Sequence, residues 1–455
     1  MSQAWLSYDK APPVWLPAVF FVATLLWLLT LGMVLLPDSI ETANRYQPQV
    51  LALTHVLGLG VLGNIMAGAI LQMLAVASAV PTPRPRRLLF SLFLPWQAGT
   101  GLLVGGFLHD FSPVAMLTAA ILLSAAVIRL VWHGWYGLAR SPARDATSQG
   151  IALALAALFV TALLGLSMVL TLTGQLSLPI MPLLHSHVLW AAVGWLFLLL
   201  LAVSQTGIPM FLVTPPYPAR TARLAMAVVV LLVTCTLALF FWPRGLPLPA
   251  TLLLMAVVMY AALSWRLLRQ SRRQADPVWW QWRVGMICLL LGGLSALLCT
   301  GLAEWPGLPL LAGLWWLGGV GLSATLAMLG KIAPFLSWLH LKQQNPPRGL
   351  LPSTHGFLAE SAQLRLRHLH LLWLLAGTLW CWQPWSLPYS VCAHNTHSGG
   401  LCALSGQQNH AALSGRETCH SPLITHLSRS PDFLDTNHSV HKVQTPILNA
   451  PHFQG

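Results

Sequence analysis

Residues 146–219 read ATSQGIALALAALFVTALLGLSMVLTLTGQLSLPIMPLLHSHVLWAAVGWLFLLLLAVSQTGIPMFLVTPPYPA and contain no Asp, Glu, Lys or Arg. A membrane-crossing helix needs about 20 apolar residues, so this stretch is too long for one span. Gly174, Pro179 and Pro182 disfavour helix, and a break at 173–182 leaves two spans, 151–172 and 183–213. Working outward, uncharged runs of similar length occupy 15–36, 51–79, 88–108, 112–128, 224–243, 245–265, 284–303, 305–330 and 371–389. The fold expected is all-α, a polytopic bundle of about eleven transmembrane helices within a membrane domain at 1–389. The fourth run is short and is expected to end near Arg129. Pro247 and Pro249 are expected to push the start of the eighth span later. The first run is too long for a signal peptide and no small-residue cleavage site follows it, so a retained helix is expected.

Composition agrees. Apolar residues make up 56% of the 455-residue chain and charged residues 8%, against about 25% charged in soluble domains. The 21 Trp suit headgroup boundaries. The net charge of +13 does not indicate nucleic acid, because the basic residues are scattered in short loops and form no stripe. The partner implied is the lipid bilayer. Arg84, Arg86, Arg87, Arg140, Arg144, Arg220, Arg223, Arg266, Arg269, Arg272, Arg273, Arg283, Lys342, Arg348, Arg365 and Arg367 all map to one side. The alternate loops hold Arg45 and Arg244 with Asp38, Glu41, Asp110 and Glu304. Cationic loops stay cytoplasmic, which predicts a cytoplasmic N-terminus. No internal repeat is evident.

From Ser390 the chain turns rich in Ser, His, Asn and Thr, with eight histidines and Cys392, Cys402 and Cys419 at irregular spacing. Residues 390–455 read as a disordered tail, with out-of-frame translation as one origin of the abrupt change. Cys235, Cys288, Cys299 and Cys381 lie in apolar runs without metal-ligand spacing and read as buried inert thiols.

Ionisable residues inside a membrane are costly and need a reason. His55 opens the second span and His185 and His187 open the sixth, both running from outside to inside. Neutral imidazole is a common ligand for haem iron, copper and zinc. All three histidines are metal-ligand candidates at a similar depth, and His55 and His187 are the cofactor candidates. His185 and His187 are two residues apart, about 200° round a helix, so only one faces a given point. Gln205, five turns on from His187, is expected on its face, and Gly58, Gly60 and Gly194 would leave room for a flat ligand. The plain alternative is that each histidine only bonds a backbone carbonyl. Gly60, Asn64, Gly68 and Gln72 form a stripe suited to helix packing. Pro209 is expected to break or kink the sixth span, and Lys331 to snorkel to the inner interface. No Walker motif, HExxH, Ser-His-Asp order or carboxylate pair is present.

His55 with Gly63-Asn64-Ile65-Met66-Ala67-Gly68-Ala69 resembles the helix that carries a haem-ligand histidine in subunit I of haem–copper oxidases. The segment His187 to Trp195, then Pro209-Met210-Phe211, and the run from Lys331 to His340 are similar to bacterial proteins related to that subunit, the NnrS family of the nitric-oxide response among them. The resemblance implies a bacterial inner-membrane location, haem or copper as cofactor, and other membrane subunits as partners. It stops short of a full oxygen-reducing site, because 223–241 and 307–330 hold no histidine. Two classes of function stay open: a haem- or metal-binding protein of respiratory or nitric-oxide metabolism, and a permease or assembly scaffold with no redox cofactor.

Overall fold

The computed structural model describes residues 10–35, 44–274, 276–300, 305, 307–344 and 352–382. They belong to a compact unit, Met1–Asn395. The tail 390–455, Asp38, Glu41, Glu304 and Arg348 lie outside the described residues.

Among the described residues every regular element is helical and no strand occurs. Ten helices are long and apolar enough to cross a membrane: α1 Trp15–Leu35, α2 Pro48–Val76, α3 Pro85–Leu108, α4 Pro113–Arg140, α5 Ala146–Leu172, α6 Ile180–Leu212, α7 Thr221–Phe241, α8 Pro247–Arg269, α9 Pro277–Leu298 and α10 Leu308–Lys342, the eighth preceded by a short turn at Pro243–Gly245. The chain is therefore a polytopic membrane protein. An eleventh helix, α11 Glu360–Trp382, begins well before the apolar run at 371–389 and takes in Arg365, Arg367, His368 and His370.

Several boundaries differ from the sequence expectation. Helix α4 continues past Arg129 to Arg140, because the Arg129 Nε–H donates to Ser91 Oγ at 3.1 Å on α3 and the charge need not end the helix. Helix α8 starts at Pro247 itself, since first-turn N–H groups have no helical partner and proline forfeits nothing there. Helix α6 runs through Pro209 and stops at Val213, which adopts φ +53°. The break expected at 173–182 is shorter, 173–179, with Gly174 at φ +76° and Pro182 inside the first turn of α6.

Consecutive helices pack as neighbours, and α2, α6 and α10 stand in the middle. Their burial is among the highest of all the spans, 83%, 67% and 50% of the apolar window. Each contains an eight-residue π-helical segment, Val56–Gly63, Trp190–Phe197 and Leu314–Gly321. A π turn is rare, and widening the turn leaves carbonyls without their usual partners. Side chains supply the missing donors, from neighbouring helices and, for Gly60, from α2 itself. Trp96 Nε1–H reaches Leu59 O at 3.1 Å, Asn64 Nδ2–H reaches Gly60 O at 2.6 Å, and Trp316 Nε1–H reaches Ala192 O at 2.9 Å. His370 of α11 donates from Nε2 to Gly318 O at 2.9 Å and accepts from Gln281 Nε2 at 2.7 Å. His370 is thus a core histidine that closes the third π segment.

The three segments meet at Gly321. A Cβ there would lie 2.5 Å from Leu62 Cδ1 and 3.4 Å from Leu196 Cδ1, so glycine is what lets the central helices converge. The stripe on α2 packs against α1, with Trp27 over Gly60 and Phe20 and Phe21 over Gly68. Asn64 also joins a chain across α1 and α3, accepting from Gln97 Nε2 at 2.6 Å while Trp27 Nε1–H donates to Gln97 Oε1 at 2.7 Å. At the Arg-rich end, Lys331 pairs with Asp276 at 2.5 Å, and the other Asp276 oxygen caps α9 through Val278 N. Cys235, Cys288 and Cys381 are buried and Cys299 half-buried, all as free thiols.

Candidate functional site

His55 and His187 stand at the same place on their helices. Each is the eighth residue of its span, seven past Pro48 (55 − 48) and seven past Ile180 (187 − 180), or about 10 Å along the axis. A π segment follows each, beginning at Val56 and at Trp190. The rings face each other across the bundle with centroids 6.5 Å apart and planes 22° from parallel.

The hydrogen bonds set the ring chemistry. His55 Nδ1 lies 2.7 Å from Leu51 O in its own helix, and His187 Nδ1 lies 3.1 Å from Thr161 O on α5. A carbonyl only accepts, so each Nδ1 carries the proton, and each Nε2 keeps its lone pair. Neither Nε2 has a hydrogen-bond partner among the described residues. A metal-bound histidine takes this arrangement, the second nitrogen held by a backbone oxygen that fixes tautomer and orientation.

The walls are apolar. The Phe107 ring of α3 lies 4.9 Å from His55 and is braced edge-on by Phe111 at 5.7 Å. Ala52, Val56, Val104 and Val169 complete a small buried cluster around it. On α5, Gly165 leaves the space that the His187 ring fills, since a Cβ there would lie 3.2 Å from Cε1.

His185 does not join the pair. It lies on the other side of α6, within electrostatic range of Arg45, and no group of three or more His, Cys, Asp or Glu able to hold a metal occurs among the described residues. The candidate centre therefore offers two imidazoles. Gln205 sits at the far end of α6, accepting from Thr221 Oγ1 at 2.8 Å. The intervening π segment changes the helical register, so a count at 3.6 residues per turn does not carry from His187 to Gln205. Of the three glycines expected to leave room for a flat ligand, Gly60 is covered by Trp27 and Gly194 by Ala157, while a Cβ at Gly58 would meet open space. A flat ligand between the two rings would have to extend on the Gly58 side.

Sequence reading missed Phe107, Gly165 and the Thr161 carbonyl as parts of this site. It also missed a short echo between the two helices: Thr54-His55-Val56-Leu57 and Ser186-His187-Val188-Leu189, each with a further valine, Val61 and Val193, six residues after its histidine. Comparison of the sequence with protein-family profiles and with curated proteins returns no match to either.

Proposed function

We propose that this membrane protein holds a redox metal, as copper or as haem iron, through the Nε2 atoms of His55 and His187, and serves respiratory or nitric-oxide metabolism. The observation that carries the reading is the facing pair of imidazoles whose Nδ1 atoms are both engaged by backbone carbonyls while both Nε2 lone pairs stay unused. Both rings are half-buried beside apolar side chains, and imidazole nitrogens with free lone pairs suit a soft or borderline metal. The metal would supply one-electron chemistry. The chain would supply a donor pair, an apolar wall at Phe107 and ring orientation through Leu51 O and Thr161 O. The alternation of basic loops supports a bacterial inner-membrane protein with its N-terminus in the cytoplasm and the histidine pair toward the outer face.

The test is purification from membranes replete in haem and copper, followed by the visible spectrum and metal analysis. One equivalent of metal, lost in His55→Ala and in His187→Ala while the protein stays folded, supports the reading. Protein that is colourless and metal-free overturns it and leaves a permease or scaffold. Metal retained in both variants overturns the ligand assignment.

A further inference from the structure

Helices α8 and α9 leave a groove of about 640 Å³ between them. Its walls are apolar, with Ala261 and Ala262 of α8 making room opposite Met286 and Leu290 of α9. Its mouth carries Arg266 and Arg269, the exposed last turn of α8. The groove reaches from Arg269 back to Val258. Those eleven residue steps (269 − 258) span about 16 Å of helix, the depth of one leaflet of a hydrocarbon core about 30 Å thick.

Among the described residues the charge at the mouth has no acidic partner. The ion pair among the described residues is Lys331 with Asp276, and the second Asp276 oxygen is taken by the α9 cap. Arg266 and Arg269 accordingly face outward without an acid. A third cation stands behind the wall: the Arg283 guanidinium lies over the rings of Trp265, which lines the groove, and of Trp279, at 4.3 and 4.5 Å. Stacking of this kind holds a cation at a membrane boundary without neutralising it.

We propose that this groove is a binding site for an anionic phospholipid of the leaflet on the Arg-rich side, with the phosphate at Arg266 and Arg269 and one acyl chain along Ala262 and Leu290. The charge at one end and the one-leaflet apolar length at the other match that molecule. A soluble phosphate would leave the apolar wall unused. A zwitterionic lipid would gain less from the two arginines, since a basic residue near the surface favours anionic lipid.

The experiment reconstitutes the full chain in vesicles of equimolar phosphatidylglycerol and phosphatidylcholine, extracts it in mild detergent, and counts retained lipids by native mass spectrometry. The expected result is retained phosphatidylglycerol enriched about tenfold over phosphatidylcholine. The enrichment should be lost in the Arg266→Gln/Arg269→Gln double variant and kept in Arg84→Gln/Arg86→Gln, which removes the same charge elsewhere. Ala262→Trp fills the groove at an exposed position and should lose the lipid with the arginines intact. Equal retention of the two lipids, enrichment that survives the Arg266/Arg269 change, or a co-purifying subunit cross-linked to this face would overturn the proposal.

Discussion

His55 and His187 come from helices 132 positions apart in sequence (187 − 55) and meet ring to ring at 6.5 Å. Neither ring is placed by the other. Leu51 O holds one and Thr161 O the other, at 2.7 and 3.1 Å. The relationship thus depends on helix positions, which the π segments and their side-chain donors fix. A change at a second helix should move a ring without touching either histidine.

Gly165 is that second helix's contact with His187. Replacing it with alanine places a methyl 3.2 Å from Cε1 and 3.5 Å from Nδ1, so the ring must give way by a few tenths of an ångström. The Nδ1 bond to Thr161 O lengthens with it. Changes to the groups that orient a metal-bound histidine typically cost about 10–100-fold in affinity. Metal titration of Gly165→Ala should show a loss near the low end of that range, and Gly165→Val a larger one. Unchanged affinity in both would mean that the Thr161 contact does not orient a ligand.

Trp96 and Trp316 each donate an indole hydrogen to a π-segment carbonyl. Phenylalanine keeps most of the ring and removes the donor. The expected cost per site is about 1 kcal/mol, between the ~0.6 average of interhelical hydrogen bonds in membranes and the ~1–3 of an orphaned buried acceptor. Thermal unfolding in detergent should show Trp96→Phe and Trp316→Phe below the parent. Trp132→Phe, at an exposed ring, should match the parent. Equal stability of all four proteins would show that the π carbonyls do not need these donors.

Much of this was legible in the sequence. Length and charge alone place eleven apolar runs, ten of which are helices able to cross a membrane among the described residues, because hydrocarbon tolerates few charges and loops collect them. The three histidines stand out for the same reason. Other features were hidden by the assumption of a uniform helix. A π segment has the same apolar residues as an α-helix, so Val56–Gly63 and Trp190–Phe197 carry no periodic signal, and the face of Gln205 was misread across one of them. Gly165 looked like one small residue among many in α5, and a backbone carbonyl such as Thr161 O has no signature at all. Charge also misled at Arg129, where a serine on the preceding helix accepts from the guanidinium and the span continues.

Gly321 tests the convergence of the central helices. Leucine there would drive atoms into Leu62 and Leu196, since even a Cβ would stand 2.5 Å from Leu62 Cδ1. Overpacking of this kind costs about 1–3 kcal/mol. Leu62→Ala returns volume at the same point, so the double variant should be more stable than the sum of the two single changes. Strict additivity in thermal unfolding would mean that the two residues do not share the junction.

Orientation is tested across a single span. Arg84 immediately precedes α3 and Asp110 follows it, so the two must lie on opposite sides of the membrane if α3 crosses. The loop charges place Arg84 inside and Asp110 outside. Cysteine is introduced at each position in a background with the native cysteines replaced by serine, which removes half-buried Cys299 as a competing thiol. A membrane-impermeant maleimide added to intact cells should label Asp110→Cys directly and Arg84→Cys only after the membrane is opened. Labelling of both from the same side would mean that α3 does not cross and would break the alternation on which every later span depends. Labelling with the sides exchanged would keep all the spans, put the histidine pair toward the cytoplasm, and overturn the cytoplasmic N-terminus.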